Sequence, residues 1–441
     1  MRTIEGIRRD FPLLREVAWL ASAGTGPMPR RALDALAATQ RALYGGFDPG
    51  AWKRAGEIPE RARALVASLL GVDREEVALV RSTTEGLNAV AASIPWERGD
   101  NVVITDQEYP ANAIPWYHQA RLHGVEVRVV RSRDGRLPLD AFAGAVDRRT
   151  RVVATSHVQF ASGYRVDLAG LAELAHAHGA LLVVDAIQSV GAIRVRPREL
   201  GVDALACGGY KWLCGPEGTG TLYVPGDLAE GLCPAAVGFP NVAAADRDDL
   251  WDALCGGRPW VRGFSGYARG ARRFDGVGLN PALLSAFAAA LEYQLELGAE
   301  WIEERVLALS GRLIGELARR GYRAVTPRGP PGAGGDRAPA GPVGPIRARG
   351  PGAGRAALPG AGPEGPRARR RDPRLHPLLQ HRRGTGTFAG GPGPVGVKAA
   401  AEPRPPSVPV TGRCGCSEDA AYGRIPGSTP AGRPWVRTGV P

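Results

Sequence analysis

Along the first three-quarters of the chain, short apolar runs of strand length alternate with stretches whose apolar residues return every three or four positions. Val77-Ala-Leu-Val80, Val102-Val-Ile-Thr105, Val125 to Val130, Val152 to Thr155, Leu181 to Asp185, Ala204 to Ala206 and Thr219 to Val224 predict strands. Most are continuous apolar segments rather than alternating ones, which suits strands covered on both faces. Ile58 to Leu70, Leu168 to His178, Leu283 to Leu297 and Trp301 to Arg320 predict amphipathic helices between and after them. Strands alternating with helices predict an α/β fold with a mainly parallel, seven-stranded sheet between helices.

The pattern ends at Arg328. Beyond it Gly, Pro, Ala and Arg dominate, both periods vanish, and proline recurs too often for either helix or strand. Such a segment buries too little apolar surface to offset its ordering entropy, so disorder is expected there. From Gly329 onward 17 basic residues face 6 acidic ones, which accounts for nearly all of the net charge of +12. The globular part is close to neutral, and the charge implies no anionic partner for it. No aromatic residue interleaves the arginines between Gly329 and His381. Base stacking is therefore not available, and a small-molecule partner is expected rather than nucleic acid.

Nothing in the 441 residues is long and apolar enough to span a membrane, and the first residues lack the apolar core of a signal peptide, so a cytoplasmic protein is expected. The 6 cysteines are irregularly spaced and read as reduced thiols. Cys414-Gly-Cys416 has no partner pair, and no metal is expected.

Lys211 is one of three lysines and lies in a glycine-rich stretch after the sixth apolar run. Asp185 ends the fifth run, with Gln188 just beyond, and Ser82-Thr-Thr-Glu-Gly86 follows the first run and opens a helix. Tyr109 follows the second run. Each has a plain reading when taken singly. Lys211 could be a solvated loop residue, Asp185 a helix cap, Ser82 an ordinary N-cap and Tyr109 a packing residue. All four fall at the carboxyl ends of strands, where open α/β sheets bind ligands. Together they match what pyridoxal phosphate requires. A lysine holds it and relays protons, and a carboxylate keeps the pyridine nitrogen protonated. A planar side chain covers the ring, and a helix N-terminus with the Thr83 and Thr84 hydroxyls takes the phosphate.

Thr83-Thr-Glu-Gly-Leu-Asn88, Glu108-Tyr-Pro-Ala-Asn112, Ser156-His-Val158, Asp185-Ala-Ile-Gln188 and Gly209 to Gly220 together resemble the class V aminotransferase branch of fold-type I pyridoxal-phosphate enzymes. That branch includes cysteine desulfurases and isopenicillin N epimerase-like proteins, and the resemblance runs from about Phe11 to Tyr322. It implies that Lys211 is the Schiff-base lysine, that Asp185 pairs with the ring nitrogen and that Gln188 faces the phenolic oxygen. Tyr109 takes the ring-stacking position, and Thr83 and Thr84 bind phosphate beside Tyr210. His157 lies close by, either in contact with the cofactor or in support. The resemblance further implies a homodimer and an amino acid or amine substrate. Its domain scheme is an N-terminal small-domain segment over 1–25, a large cofactor domain over 26–265 and small-domain helices over 266–327, with 328–441 as the tail.

Three departures stand out. Phe160 replaces the Asn of desulfurases, and Gly278 of Val277-Gly-Leu-Asn280 occupies the position of a phosphate-reaching Thr. The family's C-terminal segment, with its carboxylate-binding Arg, is missing. A desulfurase also needs a mobile nucleophilic Cys, and Cys414 and Cys416 lie in the tail without that context. An aminotransferase- or epimerase-like reaction therefore ranks above desulfuration. Read one base later, the codons from Pro373 to Pro392 admit a strand, a turn and an amphipathic helix. The same shift admits an Arg codon spanning Pro373 and Arg374, and Tyr-Asn-Thr at Leu379-Gln-His381. A single-base slip between about Tyr322 and Gly335 is expected, and resequencing that window should find it. An unshifted frame in the source DNA would rule it out.

Overall fold

The seven runs of β-branched and aliphatic residues form one sheet in the computed structural model, which describes residues 3–257, 263–322 and 324–327. The strands are β1 (Val77–Val80), β2 (Asn101–Thr105), β3 (Glu126–Val130), β4 (Thr150–Ser156), β5 (Leu181–Asp185), β6 (Ala204–Gly208) and β7 (Gly220–Tyr223). Their order is β1-β7-β6-β5-β4-β2-β3. β3, β2, β4, β5 and β6 pair in parallel, whereas β7 runs antiparallel to both β6 and β1. Every residue of β1, β2, β6 and β7 is buried, while the edge strand β3 is mostly half-buried. A strand buried on both faces cannot alternate polar with apolar, which is why these runs read as continuous.

Two apolar layers cover the sheet. One face packs against the helices Ala51–Leu70, Leu168–Ala177 and Pro281–Leu297 through Val66, Leu171 and Phe287. The other packs against Thr83–Ser93 and Ile114–His123 through Leu87, Val90 and Trp116. The helix expected from Ile58 begins seven residues earlier, at Ala51. Pro59 lies inside the helix, where its ring removes one backbone hydrogen bond without ending the element. Asn280 caps Pro281–Leu297 by accepting from Ala282 N at 2.9 Å, and Pro281 occupies the first helical position. The helix Ala299–Arg319 buries only Ile314 and leaves Leu309 and Leu313 exposed. No described helix is long and apolar enough to cross a membrane. The 328–441 tail, with Cys414, Cys416 and the codons around Pro373, lies outside the described residues.

A buried ion pair fastens the helical layer to the edge of the sheet. Arg63, 2% exposed, makes a two-pronged contact with Asp275, Nη1 to Oδ1 at 3.1 Å and Nη2 to Oδ2 at 2.7 Å, and also donates to the Val77 carbonyl. Asp275 Oδ1 accepts in addition from Leu79 N at 2.9 Å, so helix, β1 and the segment leading to Asn280 meet at one carboxylate. Removing that carboxylate strands a buried guanidinium. Asp275→Ala is expected to cost about 3–5 kcal/mol, read as a lower urea midpoint with an unchanged slope. A midpoint equal to the parent's would show that the pair is not a fastening.

Candidate active site

Lys211 sits three residues beyond the end of β6, in backbone gripped from three sides. Gly26 N donates to the Tyr210 carbonyl at 2.8 Å, and a Cβ on Gly26 would lie 1.9 Å from the Lys211 carbonyl oxygen. Gly191, at φ +90°, passes so close that a Cβ there would lie 2.7 Å from the Trp212 carbonyl carbon. Only glycine meets both demands at these positions. From the third side, Gln294 Nε2 of Pro281–Leu297 donates to the Trp212 carbonyl at 2.8 Å. Gly208 and Gly209 add bonds to Thr83 Oγ1 and the Thr219 carbonyl, each at 2.8 Å.

The Lys211 side chain is buried, with Nζ 5.7 Å from the centroid of the Tyr109 ring and 5.9 Å from that of Tyr210. Burial pulls its pKa below the usual ammonium value, against the attraction of Asp185 and Cys207. A larger share of the amine is therefore neutral and nucleophilic than in solution. Asp185 is buried at the end of β5. Its Oδ1 accepts from Ile187 N at 3.0 Å, and its buried Oδ2 has no hydrogen-bond partner. Burial pushes this carboxyl up to about 7; the Ile187 bond and Lys211 pull it down, and Glu108 reinforces the rise. His157 N donates to the Asp185 carbonyl at 2.9 Å across the β4–β5 register. The His157 ring is fully enclosed, its Nδ1 is unpartnered, and burial holds its pKa down to about 3, so it is neutral at physiological pH.

Gln188 is tied on both sides of its amide. Oε1 accepts from Trp212 Nε1 at 2.9 Å and Nε2 donates to the Ala23 carbonyl at 2.9 Å. Thr83 opens the helix after β1, its hydroxyl oxygen accepting from Gly208 N while its own proton stays available. Ser82 is the N-cap and takes Glu85 N at 3.1 Å, leaving the amides of Thr83 and Thr84 without intrahelical partners. The stretch is thus a capped helix whose free first-turn amides leave room for the expected anion. Thr84 is exposed. Tyr109 stands half open and meets Phe160 edge to face, with centroids 5.2 Å apart. Gly278 takes φ +73° with no atom within 4 Å of a Cβ placed on it.

Three contributors had not been singled out as site residues in the sequence. Glu108 accepts from Thr105 Oγ1 (2.8 Å), Asn112 Nδ2 (2.8 Å), Thr155 Oγ1 (3.3 Å), Ser156 N (3.0 Å) and Oγ (2.6 Å), and Gln159 Nε2 (3.0 Å). It thereby binds the end of β2 to the end of β4 beneath Tyr109. Trp212 and the small-residue segment Ala21 to Gly26 are the others, since they orient Gln188 and press on Lys211. The signal for Glu108 was an acid spaced three from Thr105 and four from Asn112. For Ala21 to Gly26 it was the run of small residues alone.

These groups fit pyridoxal phosphate. The unpartnered Asp185 oxygen suits a protonated ring nitrogen, the buried amine suits an aldehyde, and the free helix amides suit a phosphate. An α/β sheet carrying a buried lysine and a strand-end aspartate at its carboxyl edge is the framework of a fold-type I cofactor enzyme. The chain belongs to the aminotransferase class-V family, whose profile matches residues 18–328, and is thus a pyridoxal-phosphate-dependent enzyme. A probable cysteine desulfurase of Methanothermobacter thermautotrophicus is 35% identical over 252 residues, 56% of this chain and 62% of that protein, which is less than two thirds of its length. An uncharacterized aminotransferase of Bacillus subtilis is 34% identical over 331 residues, covering 74% of this chain and 82% of its own length. The apo structure of a cysteine desulfurase from Thermococcus onnurineus NA1 superposes with a TM-score of 0.63 at 26% identity, over 74% of this chain and 80% of that one.

The raised Asp185 carboxyl makes stability depend on pH. From the ordinary carboxylate range up to about 7, the unfolded chain has lost this proton while the folded chain keeps it. Stability of the cofactor-free protein should therefore fall by up to about 1.4 kcal/mol per pH unit and level off above 7. Asp185→Asn removes that slope, so its urea midpoint should gain on the parent's between pH 5 and pH 8. A constant difference would mean that Asp185 titrates as an exposed carboxyl.

Proposed function

We propose that the chain converts an amino acid or amine by an aminotransferase- or epimerase-like reaction run from Lys211. The observation that carries this reading is the enclosed Lys211 amine, with its pKa pulled down by burial, beside a buried Asp185 that keeps one oxygen unpartnered. Bound pyridoxal phosphate supplies an electron sink for a substrate carbanion. Lys211 would hold it through Nζ and, once the substrate amine has displaced that bond, its freed Nζ would move a proton at the substrate Cα. Asp185 Oδ2 keeps the ring nitrogen protonated, and the Gln188 amide faces the phenolic oxygen. Tyr109 covers the ring, while Thr83, Thr84 and Tyr210 hold the phosphate. Residues 26–265 form the cofactor domain of this scheme, 1–25 and 266–327 belong to the small domain, and the protein acts as a cytoplasmic homodimer.

Desulfuration is the second reading, favoured by the similarity to cysteine desulfurases. Among the described residues, however, the Cys207 thiol is pushed up by burial, and that of Cys214 is pushed up to about 12, so neither supports a ready nucleophile. Cys233 and Cys255 lie on the surface.

Adding pyridoxal phosphate to the apoprotein should give a visible absorption band that Lys211→Ala abolishes. A panel of amino acids should then yield amino-group transfer to a 2-oxo acid or loss of optical rotation. A colourless protein would sink the cofactor assignment, and sulfide release from cysteine without either of the other activities would sink the aminotransferase-epimerase reading. A frame-restored chain assayed alongside separates a missing carboxylate site from a wrong substrate.

A further inference from the structure

Gln188 can present its amide in two orientations, and its surroundings permit one. Its oxygen meets an indole N–H, from Trp212, and its nitrogen meets a carbonyl, that of Ala23. Rotating the amide by half a turn would set N–H against N–H and oxygen against oxygen, two repulsions in a nearly closed site. The partners are themselves fixed. Trp212 follows Lys211 and is held through its carbonyl by Gln294 and by the approach of Gly191. Ala23 belongs to a strap that Trp19 Nε1 closes onto the Thr25 carbonyl at 2.9 Å and that Gly26 N ties to Tyr210.

We infer that Trp212 and the Ala23 carbonyl are positioning groups that lock the Gln188 amide nitrogen toward the cofactor site, leaving its second N–H as the donor to the phenolic oxygen. This rests on the pyridoxal-phosphate reading of the site and adds to it how the donor is oriented. A donor at that oxygen favours its anionic form and lowers the pH at which the visible band of the loaded protein titrates. Trp212→Phe keeps an aromatic ring, removes the N–H and leaves the amide held by the Ala23 carbonyl alone, so that its orientation loosens.

The test is a spectrophotometric pH titration of the pyridoxal-phosphate-loaded protein. Gln188→Ala should raise the midpoint by about one pH unit, and Trp212→Phe should raise it by a similar or smaller amount. In the Gln188→Ala background Trp212→Phe should add nothing, a non-additivity that a merely structural role would not produce. An unmoved Trp212→Phe midpoint, or the same increment in both backgrounds, overturns the inference. Should Trp212→Phe not fold, Gln188→Glu leaves the indole in place and replaces the donor by an acceptor. Its midpoint should exceed that of Gln188→Ala, and a parent-like value overturns the inference. A parent protein without a visible band would instead overturn the cofactor assignment itself.

Discussion

The exclusion of water from Asp185 is the constraint from which the rest of the site follows. A carboxylate in that position is costly, and one of its oxygens has no protein partner to offset the cost. The surroundings are arranged to keep it so. β4 and β6 flank it in register, His157 stays neutral beside it, and among the described residues its carboxyl accepts from the Ile187 amide two residues on. The same dryness lowers the pKa of Lys211, so that its amine gives up a proton more readily than a surface lysine does. One desolvated volume thus prepares two groups of opposite charge, which is a recurrent way of tuning acid and base in one place.

Rigidity at that volume comes from backbone contact more than from side chains. Gly26, Gly191 and Gln294 fix the Lys211–Trp212 peptides, while Glu108 joins the strand ends on the far side. The Arg63–Asp275 pair holds the helical layer to β1, the strand that leads into the helix Thr83–Ser93. Charged groups therefore appear at three depths with three tasks: fastening the layers, tying the loops and carrying the chemistry.

Much of this was legible in the sequence because burial on both faces of a sheet writes itself as unbroken apolar runs. All seven strands, and the placement of Lys211, Asp185, Gln188, Thr83 and Tyr109 at strand ends, could be read that way. The reversal of β7 could not, since Thr219 to Val224 carries no mark of direction. The start of Ala51–Leu70 was obscured because Pro59 lies inside the helix, where proline is disfavoured. Gln188 was visible as a residue, but its orientation depends on Ala23 and Trp212, which are distant or unremarkable in sequence. Glu108 lay inside a recognised motif, yet its partners on β4 become neighbours only when the parallel pairing of β2 and β4 forms. The residues that choose a substrate were not legible at all, because they are spread over loops and the segment expected to bind its carboxylate lies outside the described residues.

The Glu108 network has a consequence for how this region tolerates change. Its spokes, on Thr105, Asn112, Thr155, Ser156 and Gln159, all converge on one acceptor. Losing one spoke leaves the others in place, whereas losing the acceptor leaves every donor stranded together. Substitution can accordingly reach the rim of this cluster one position at a time, while a change at its centre strands all the donors at once. The platform beneath Tyr109 can thus vary in composition without varying in shape, so that the ring facing Lys211 stays in register while its supports diversify.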